Sequence, residues 1–294
     1  KQFDNSTLVR WPDDCHPVRL IRNRTMTVTN PPAPAAEAKG GVTVTFSELT
    51  YTVPPKKKKH DPLVILKGLS GSFKPGKLTA LMGPSGSGKS TLMDILAGRK
   101  SGAGKVEGEI LFGGASVPKG ALRHLCGYVE QFDTLVGELS VEKMLMYTAE
   151  LKLPLSVSKA DKKKRVDETI YKLRLEKCRS TVIGNALLRG ISGGQSKRVN
   201  IALALITQPK ACFLDEPTSG LDSAMANEVC VLMKALANEG CTVVATVHAP
   251  TSFAFSLFDD LLMLQGGGQV IYNGSVANVR AHFEAMGSVF PEEK

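Results

Sequence analysis

The segment Gly83–Ser90 restricts the fold of this chain more than any other part of its sequence. It reads G-P-S-G-S-G-K-S, a full match to the pattern G-x-x-x-x-G-K-[ST]. The apolar run Leu78–Met82 precedes it, and the helical pattern Thr91–Ala97 follows it. The glycines allow successive backbone N–H groups to point at phosphate oxygens, and the helix adds its N-terminal dipole. The sequence therefore predicts a phosphate-binding loop between a buried strand and a helix.

Two side chains of this loop have separate expected tasks. Lys89 would bridge the β- and γ-phosphates of a nucleotide, and the Ser90 hydroxyl would ligate Mg²⁺. A glycine-rich turn without a ligand is the alternative, but it does not account for the strand and helix on either side. The nucleotide-binding residues predicted in this segment are Gly83, Pro84, Ser85, Gly86, Ser87, Gly88, Lys89, Ser90 and Thr91.

A second pattern places two carboxylates at the end of a buried strand. The apolar run Ala211–Leu214 is followed directly by Asp215 and Glu216. In α/β sheets the carboxyl ends of strands bind ligands. Asp215 is expected to hold Mg²⁺ through its water shell, and Glu216 to orient or deprotonate an attacking water. An Asp-Glu pair at a strand end is common, so the assignment depends on the phosphate-binding loop.

The order of strand and helix patterns gives the fold class. Alternating residues at Val42–Ser47 indicate a half-buried strand, and Thr242–Val247 indicates a buried one. Residues 138–185 read mostly as helices that form an inserted lobe, with Lys162–Arg165 on an exposed face. Strands that alternate with helices predict an α/β fold on a mostly parallel sheet.

Two segments read as connections. Residues 1–40 contain the Pro/Ala-rich stretch Pro31–Ala38 and are expected to be a leader or linker. Lys56–Lys59 is expected to be a solvated hairpin tip, with a phosphate or lipid-headgroup contact as the alternative.

Composition narrows the function class only partly. The net charge of +9 suits nucleotide binding, nucleic-acid binding or a place beside an anionic membrane. No apolar run approaches the roughly 18 residues of a membrane span, and the first residue is Lys, so we expect a piece of a longer protein. Without a C-x-x-C pair, the cysteines predict packing or surface thiols in a reducing, cytosolic compartment and no metal cluster. The cysteines are Cys15, Cys126, Cys178, Cys212, Cys230 and Cys241.

The segment Ile191–Gln195 resembles the signature motif of ATP-binding cassette (ABC) ATPases. It reads I-S-G-G-Q, with Ser192 placed as a helix N-cap and Gly193 and Gly194 freeing backbone N–H groups for an anion. The resemblance implies that this segment faces the γ-phosphate held by the loop of a second subunit, so that each ATP lies between two chains. An ordinary capped helix start is the alternative.

Three further residues match the same family in the expected order along the chain. Gln131 resembles the Q-loop glutamine, which contacts Mg²⁺ and relays to the membrane domain. Asp222, in Ser219–Asp222, resembles the D-loop aspartate at the dimer interface, and His248 resembles the switch histidine that touches the γ-phosphate. Tyr51 is expected to stack on adenine, with a buried strand aromatic as the alternative. The resemblance makes Lys89, Glu216 and His248 the catalytic set.

Several strings are most similar to the G subfamily, the half-transporters and the pleiotropic-drug-resistance transporters. They are Leu78–Gly83, Thr91–Lys100, Glu150–Pro154 and Gly268–Gly274. Two departures stand out: Gln195, where many G members carry Glu, and Ala249, where Gln is usual.

The resemblance implies a P-loop NTPase core with an N-terminal antiparallel β-subdomain and an inserted α-helical subdomain that carries the signature motif. The nucleotide-binding domain is expected at residues 41–290, the helical subdomain at about 132–195, and the start of a connection to a transmembrane domain at 291–294.

The expected function is ATP binding and hydrolysis by a dimer around two Mg-ATP that powers an exporter. Its partners would be a second nucleotide-binding domain and the transmembrane domain of the same parent chain, at the cytosolic face of a membrane, with no nucleic acid. A soluble ABC ATPase acting on the ribosome or nucleic acid, and a nucleotide-gated module that does not hydrolyse, are the alternatives.

Overall fold

The computed structural model of the chain describes residues 40–55, 61–100, 102, 104–132, 134–185 and 187–288. The expected leader up to residue 39, the Lys56–Lys59 tip, Cys15 and the expected connection at 291–294 lie outside the described residues. The strands are β1 (Val44–Val53), β2 (Leu63–Phe73), β3 (Leu78–Met82), β4 (Lys105–Phe112), β5 (Cys126–Val129), β6 (Ala211–Leu214), β7 (Thr242–Thr246), β8 (Asp260–Gln265) and β9 (Gln269–Ser275). The helices are α1 (Lys89–Leu96), α2 (Lys119–Leu125), α3 (Val141–Lys152), α4 (Lys159–Lys172), α5 (Gly193–Leu205), α6 (Ser223–Asn238), α7 (Ser252–Ser256) and α8 (Val279–Ala285).

The central sheet has six strands in the order β5-β6-β7-β3-β8-β9. Neighbours from β5 to β8 run parallel, and β9 runs antiparallel to β8. Every residue of β6 and β7 is buried, which is typical of parallel strands covered on both faces. The predicted α/β fold on a mostly parallel sheet is confirmed.

A second, three-stranded sheet has the order β2-β1-β4 and is antiparallel throughout. Phe46 of β1 packs on Phe73 of β2, with ring centroids 5.5 Å apart. These rings share a hydrophobic cluster with Leu92 of α1 and with Phe213 of β6. The antiparallel β-subdomain is thus confirmed, and it holds α1 against one face of the central sheet.

The helices α3, α4 and α5 pack on one another, and α5 also packs on β5. Leu145 of α3, Ile170 of α4 and Val199 of α5 lie in one hydrophobic cluster with Leu214 of β6. We expected these helices to form an inserted lobe; α3 and α4 pack on each other and on α5, and α5 connects them to the sheet at β5. The start of α5 is therefore fixed relative to the sheet edge.

One surface prediction for this region is wrong. Lys162 was expected on an exposed face with its neighbours, but it is only 7% exposed. The buried positions of α4 include Lys162, Val166 and Thr169, which lie on one helical stripe toward α3 and α5. The aliphatic stem of Lys162 covers apolar surface there, as long cationic side chains do.

Within the described residues, no helix has the length and apolarity needed to cross a bilayer. The described cysteines are free thiols; Cys212 is buried as expected, whereas Cys241 is half-buried. Burial raises the pKa of Cys126 to about 12 and that of Cys230 to about 11, so neither thiol is a ready nucleophile.

Candidate functional site

The glycines of the loop between β3 and α1 have conformations that other residues rarely adopt. Gly83, Gly86 and Gly88 have φ angles of 147°, 78° and 94°. A Cβ atom on Gly88 would also lie 2.5 Å from Leu66 Cδ2 of β2. Glycine is therefore required at this position both by backbone conformation and by space, and the loop closes tightly over the start of α1.

Lys89 and Ser87 supply polar atoms at the bottom of this loop. Lys89 Nζ donates hydrogen bonds to the carbonyl oxygens of Gly83 (2.9 Å) and Pro84 (3.0 Å). Burial lowers the pKa of Lys89, while the charges of Glu216 and Asp215 act in the opposite direction. Among the described residues, Ser87 Oγ is buried without a hydrogen-bond partner. A buried hydroxyl that lacks a partner is costly, so these atoms suit a ligand with many acceptor oxygens.

The two carboxylates follow β6, beside β7. The Asp215 N–H donates to Val129 O at 2.9 Å, which carries the pairing of β5 and β6 one step past the strand ends. Thr246 Oγ1, at the end of β7, donates to Asp215 Oδ1 at 2.7 Å. Thr246 Oγ1 also accepts a hydrogen bond from the N–H of Glu216 at 2.7 Å. Both acidic residues are thereby tied to one hydroxyl.

The Glu216 side chain also contacts Gln131 and His248, the two residues whose roles the family resemblance suggested. Gln131 Nε2 donates to Glu216 Oε2 at 2.7 Å, and His248 Nε2 lies 2.6 Å from Glu216 Oε1. The Glu216 backbone has φ 46°, a left-handed conformation that is uncommon for a residue with a Cβ. Gln131, Glu216 and His248 therefore form one hydrogen-bonded group, although 85 residues separate the first two.

The signature segment Ser192–Gln195 begins α5 in a capping box. Gln195 N–H donates to Ser192 Oγ at 3.3 Å, and Ser192 N–H donates to Gln195 Oε1 at 2.9 Å. Ser192 and Gly193 are exposed. A Cβ atom on Gly194 would lie 2.8 Å from Met225 Sδ in the first turn of α6. The Met225 N–H in turn donates to Asp222 Oδ1 at 2.8 Å, so the structure brings the signature segment close to the D-loop aspartate, which is the N-cap of α6.

Comparison with protein families identifies this arrangement. Residues 66–219 match the family model described as ABC transporter, which spans the phosphate-binding loop, the signature segment and both carboxylates. This chain belongs to the ABC transporter family. Residues 248–294 also match the model described as ABC-2 type transporter.

The curated relatives that this chain resembles include transporters of the G family. ABC transporter G family member 11 of Arabidopsis thaliana is 44% identical over 227 residues, 77% of this chain and 32% of that protein. The broad substrate specificity ATP-binding cassette transporter ABCG2 of Mus musculus is 38% identical over 275 residues, 92% of this chain and 41% of that protein. The chain thus spans less than half the length of these relatives. It is the ATP-binding component of an ABC transporter, and the alternative of a soluble ABC ATPase on the ribosome or nucleic acid is not favoured.

Tyr51 lies in a different setting from that required for adenine stacking. Its side chain is 4% exposed and belongs to the cluster between the β-subdomain and α1. A Cβ atom on Gly104 would lie 2.1 Å from the Tyr51 hydroxyl oxygen, and Lys100 Nζ lies 5.5 Å from the ring centroid. Stacking needs an open ring face, so the geometry favours the alternative of a buried strand aromatic.

Two residues that contact the site, Thr246 and Lys197, were not predicted from the sequence. Thr246 lies inside the apolar run Thr242–Val247. Its hydroxyl, in a run predicted to be buried, was the only sequence feature that could have marked it as a site residue. Lys197, two positions after Gln195, is 8% exposed and donates from Nζ to the carbonyl oxygen of Gln131 at 2.7 Å. A buried lysine one turn into the signature helix could have been flagged, since lysines are rarely buried without a partner.

Proposed function

We propose that this ABC domain hydrolyses Mg-ATP as half of a shared site, and that this reaction drives a transporter. The observation that carries the proposal is the position of the Glu216 carboxylate. It is held between Gln131 Nε2 and His248 Nε2, close enough to Lys89 to influence the pKa of that lysine. A general base must be held within reach of the attacking water, and the neighbouring phosphate-binding lysine places Glu216 beside the γ-phosphate.

The residues available for Mg²⁺ fit a hard cation. Ser90, Gln131 and Asp215 supply hydroxyl, amide and carboxylate oxygens, the ligand types that Mg²⁺ prefers, with water completing the shell. When bound, Mg²⁺ would neutralise charge on the β- and γ-phosphate oxygens. Thr246 donates to Oδ1 of Asp215, so Oδ2 is the oxygen of this carboxylate that would contact Mg²⁺ through a water shell.

The chain's own residues then divide the chemistry. The N–H groups of the glycine loop would bind the phosphates, and Lys89 Nζ would exchange its two carbonyl partners for phosphate oxygens. Glu216 would take a proton from the water that attacks the γ-phosphorus, so that ADP leaves and inorganic phosphate forms. Gln131 would hold Glu216 by its donated bond, and His248 Nε2 would contact the γ-phosphate beside it.

The proposed partner in the shared site is a second nucleotide-binding domain. The exposed Ser192 and Gly193 lie at the start of a capped helix, and a helix N-terminus is a common anion-binding geometry. The neighbouring Asp222 would lie at the same interface, as in the family. We infer that these residues meet the γ-phosphate held by the loop of a second copy or of a related domain.

The proposal also includes the coupling of ATP hydrolysis to a transmembrane domain. The two transporter-family matches and the G-family relatives support a transmembrane domain in the same parent chain, with this domain at the cytosolic face. We propose export as the direction, without nucleic acid as a partner.

The shared site is tested by measuring ATP turnover against protein concentration in the presence of Mg²⁺. We expect the specific rate to rise with concentration, because each site needs Ser192–Gln195 from another molecule. Lys89→Ala should lose at least about tenfold in ATP affinity, the scale expected when a charged contact to phosphate is removed. Lys164→Ala, which removes an exposed lysine of α4, is the matched control. A specific rate that stays constant over the whole concentration range contradicts a shared site.

A further inference from the structure

Thr246 occupies a place in the sheet where one side chain can act on both acidic residues. The strand β7 lies between β6, which carries Asp215, and β3, which carries the phosphate-binding loop. In the strand pairing, Ala245 is opposite Leu214, and Thr246 is opposite Leu81. Thr246 is thus level with the first residue past β6 and one residue short of the end of β3.

The hydroxyl of Thr246 uses both of its hydrogen-bonding capacities toward those acidic residues. The side chain is 0% exposed, so water does not compete for it. Oγ1 donates to Asp215 Oδ1 and accepts from the Glu216 N–H, each at 2.7 Å. A valine would fill the same volume and would satisfy neither group.

Each of the two hydrogen bonds fixes one geometric feature that ATP hydrolysis requires. The bond to Asp215 selects one orientation of its carboxylate and so determines where the second oxygen points. The bond to the Glu216 N–H stabilises a backbone with φ 46°, which is sparsely populated for a residue with a Cβ. That backbone conformation directs the Glu216 side chain toward Gln131 and His248.

We propose that Thr246 is a positioning residue that sets the metal-side carboxylate, Asp215, and the base, Glu216, in register with each other. Its hydroxyl does not touch the nucleotide; it acts through these two residues. The kinetic part of this inference rests on the proposed hydrolysis, and the structural part does not.

The test compares Thr246→Val with Thr246→Ser, which keeps the hydroxyl. Thr242→Val is the matched control, because Thr242 lies in the same strand, is also 0% exposed and donates to Val42 O at 2.7 Å, away from both acidic residues. The following are measured on the whole chain: the melting temperature, hydrogen exchange at the Glu216 amide, ATP affinity with and without Mg²⁺, and kcat and KM for ATP.

For Thr246→Val we expect the Glu216 amide to exchange at least about tenfold faster, since it loses its acceptor. ATP should bind about tenfold more weakly with Mg²⁺ present and with unchanged affinity without it, because Asp215 contributes to binding only through Mg²⁺. The kcat should fall about 10- to 100-fold, whereas KM for Mg-ATP should rise by no more than the roughly tenfold loss of affinity. Thr246→Ser should stay within about threefold of the wild type in every quantity.

Thr242→Val should lower the melting temperature as Thr246→Val does and leave the other quantities at wild-type values. The inference is overturned if Thr246→Val behaves like the wild type, if Thr242→Val reproduces its effects, or if Thr246→Ser is as impaired as Thr246→Val. Should the valine variant not fold, Thr246→Cys keeps the volume with a weaker donor and is expected to give the same pattern at reduced size. A wild-type chain without turnover would contradict the proposed hydrolysis alone, since amide exchange and the Mg²⁺ dependence of binding still decide the role of Thr246.

Discussion

Replacing Glu216 by Gln separates nucleotide binding from the chemical step. The carboxylate accepts from Gln131 Nε2 through Oε2 and contacts His248 Nε2 through Oε1. A Gln side chain has nearly the same shape but offers one acceptor oxygen and one NH₂ donor. It therefore removes the proton acceptor and leaves the phosphate-binding loop untouched.

The expected magnitudes differ by process. Loss of a general base lowers kcat by about 10²- to 10⁴-fold, which is about 3 to 5 kcal/mol in the activation barrier. The new NH₂ group faces either Gln131 Nε2, which is a donor, or His248 Nε2, which accepts in only one tautomer. The rearrangement of these contacts should cost about 1 kcal/mol of folding stability. ATP affinity should stay within about threefold, because Lys89 and the loop N–H groups supply the phosphate contacts.

The assay pairs single-turnover hydrolysis at saturating Mg-ATP with an equilibrium titration of a fluorescent ATP analogue. Glu228→Gln, an exposed glutamate of α6, makes the same change in charge and is the control. We expect Glu216→Gln to bind nucleotide and to accumulate as a closed dimer, while Glu228→Gln matches the wild type. The reasoning is refuted if Glu216→Gln keeps kcat within about threefold of wild type, or if its loss of affinity equals its loss of rate.

Two further variants probe the surroundings of the site. Lys197→Met removes the bond from Nζ to Gln131 O and should lower kcat about tenfold at unchanged ATP affinity, as measured by the same pair of assays; an equal loss of affinity would contradict this. Arg179, and with it Lys163, lowers the pKa of Glu142 to about 2 from a usual 4.5. The ion pair therefore stabilises the fold above about pH 4.5, and this stability is lost as the pH falls toward 2. In urea titrations Glu142→Gln should cost about 1 kcal/mol at pH 7, discounted for partial exposure, and nothing near pH 2; a pH-independent cost would show that charge is not the cause.

The accuracy of the sequence-based predictions follows the strength of each local pattern. The bounds of β3 and β6 agree with the predicted runs Leu78–Met82 and Ala211–Leu214, because continuous apolar segments end there at Gly and Asp. The alternation at Val42–Ser47 marks only the first part of β1, which runs past Tyr51 to Val53. Glu48 has φ 50°, and the pairing with β2 shifts register after Phe46, so this irregularity interrupts the alternation on which the prediction depended.

Short strands carry too little pattern to be found in this way. The strand β5 has 4 residues, includes Gly127 and follows α2 without a turn, so nothing in its composition marks it. The site itself was predictable where a motif is contiguous, as in Gly83–Ser90. The contact between Gln131 and Glu216 was not derivable from spacing, because it depends on β5 and β6 being neighbours in the sheet.

That neighbour relation explains why residues so distant in sequence work on one carboxylate. In parallel strands all carboxyl ends lie at one edge of the sheet. Gln131, Glu216 and His248 follow the carboxyl ends of β5, β6 and β7, so they lie side by side. The same edge reaches the signature segment, because Lys197 of α5 donates to the carbonyl oxygen of Gln131 while the Gln131 side chain donates to Glu216. A displacement of α5 therefore acts directly on the residue that holds the base. If Ser192–Gln195 at the start of α5 contacts the nucleotide of a second copy, dimer closure would move α5 and, through Lys197 and Gln131, change the position of Glu216. For this reason Lys197→Met is expected to lower the rate of hydrolysis and to leave ATP affinity unchanged.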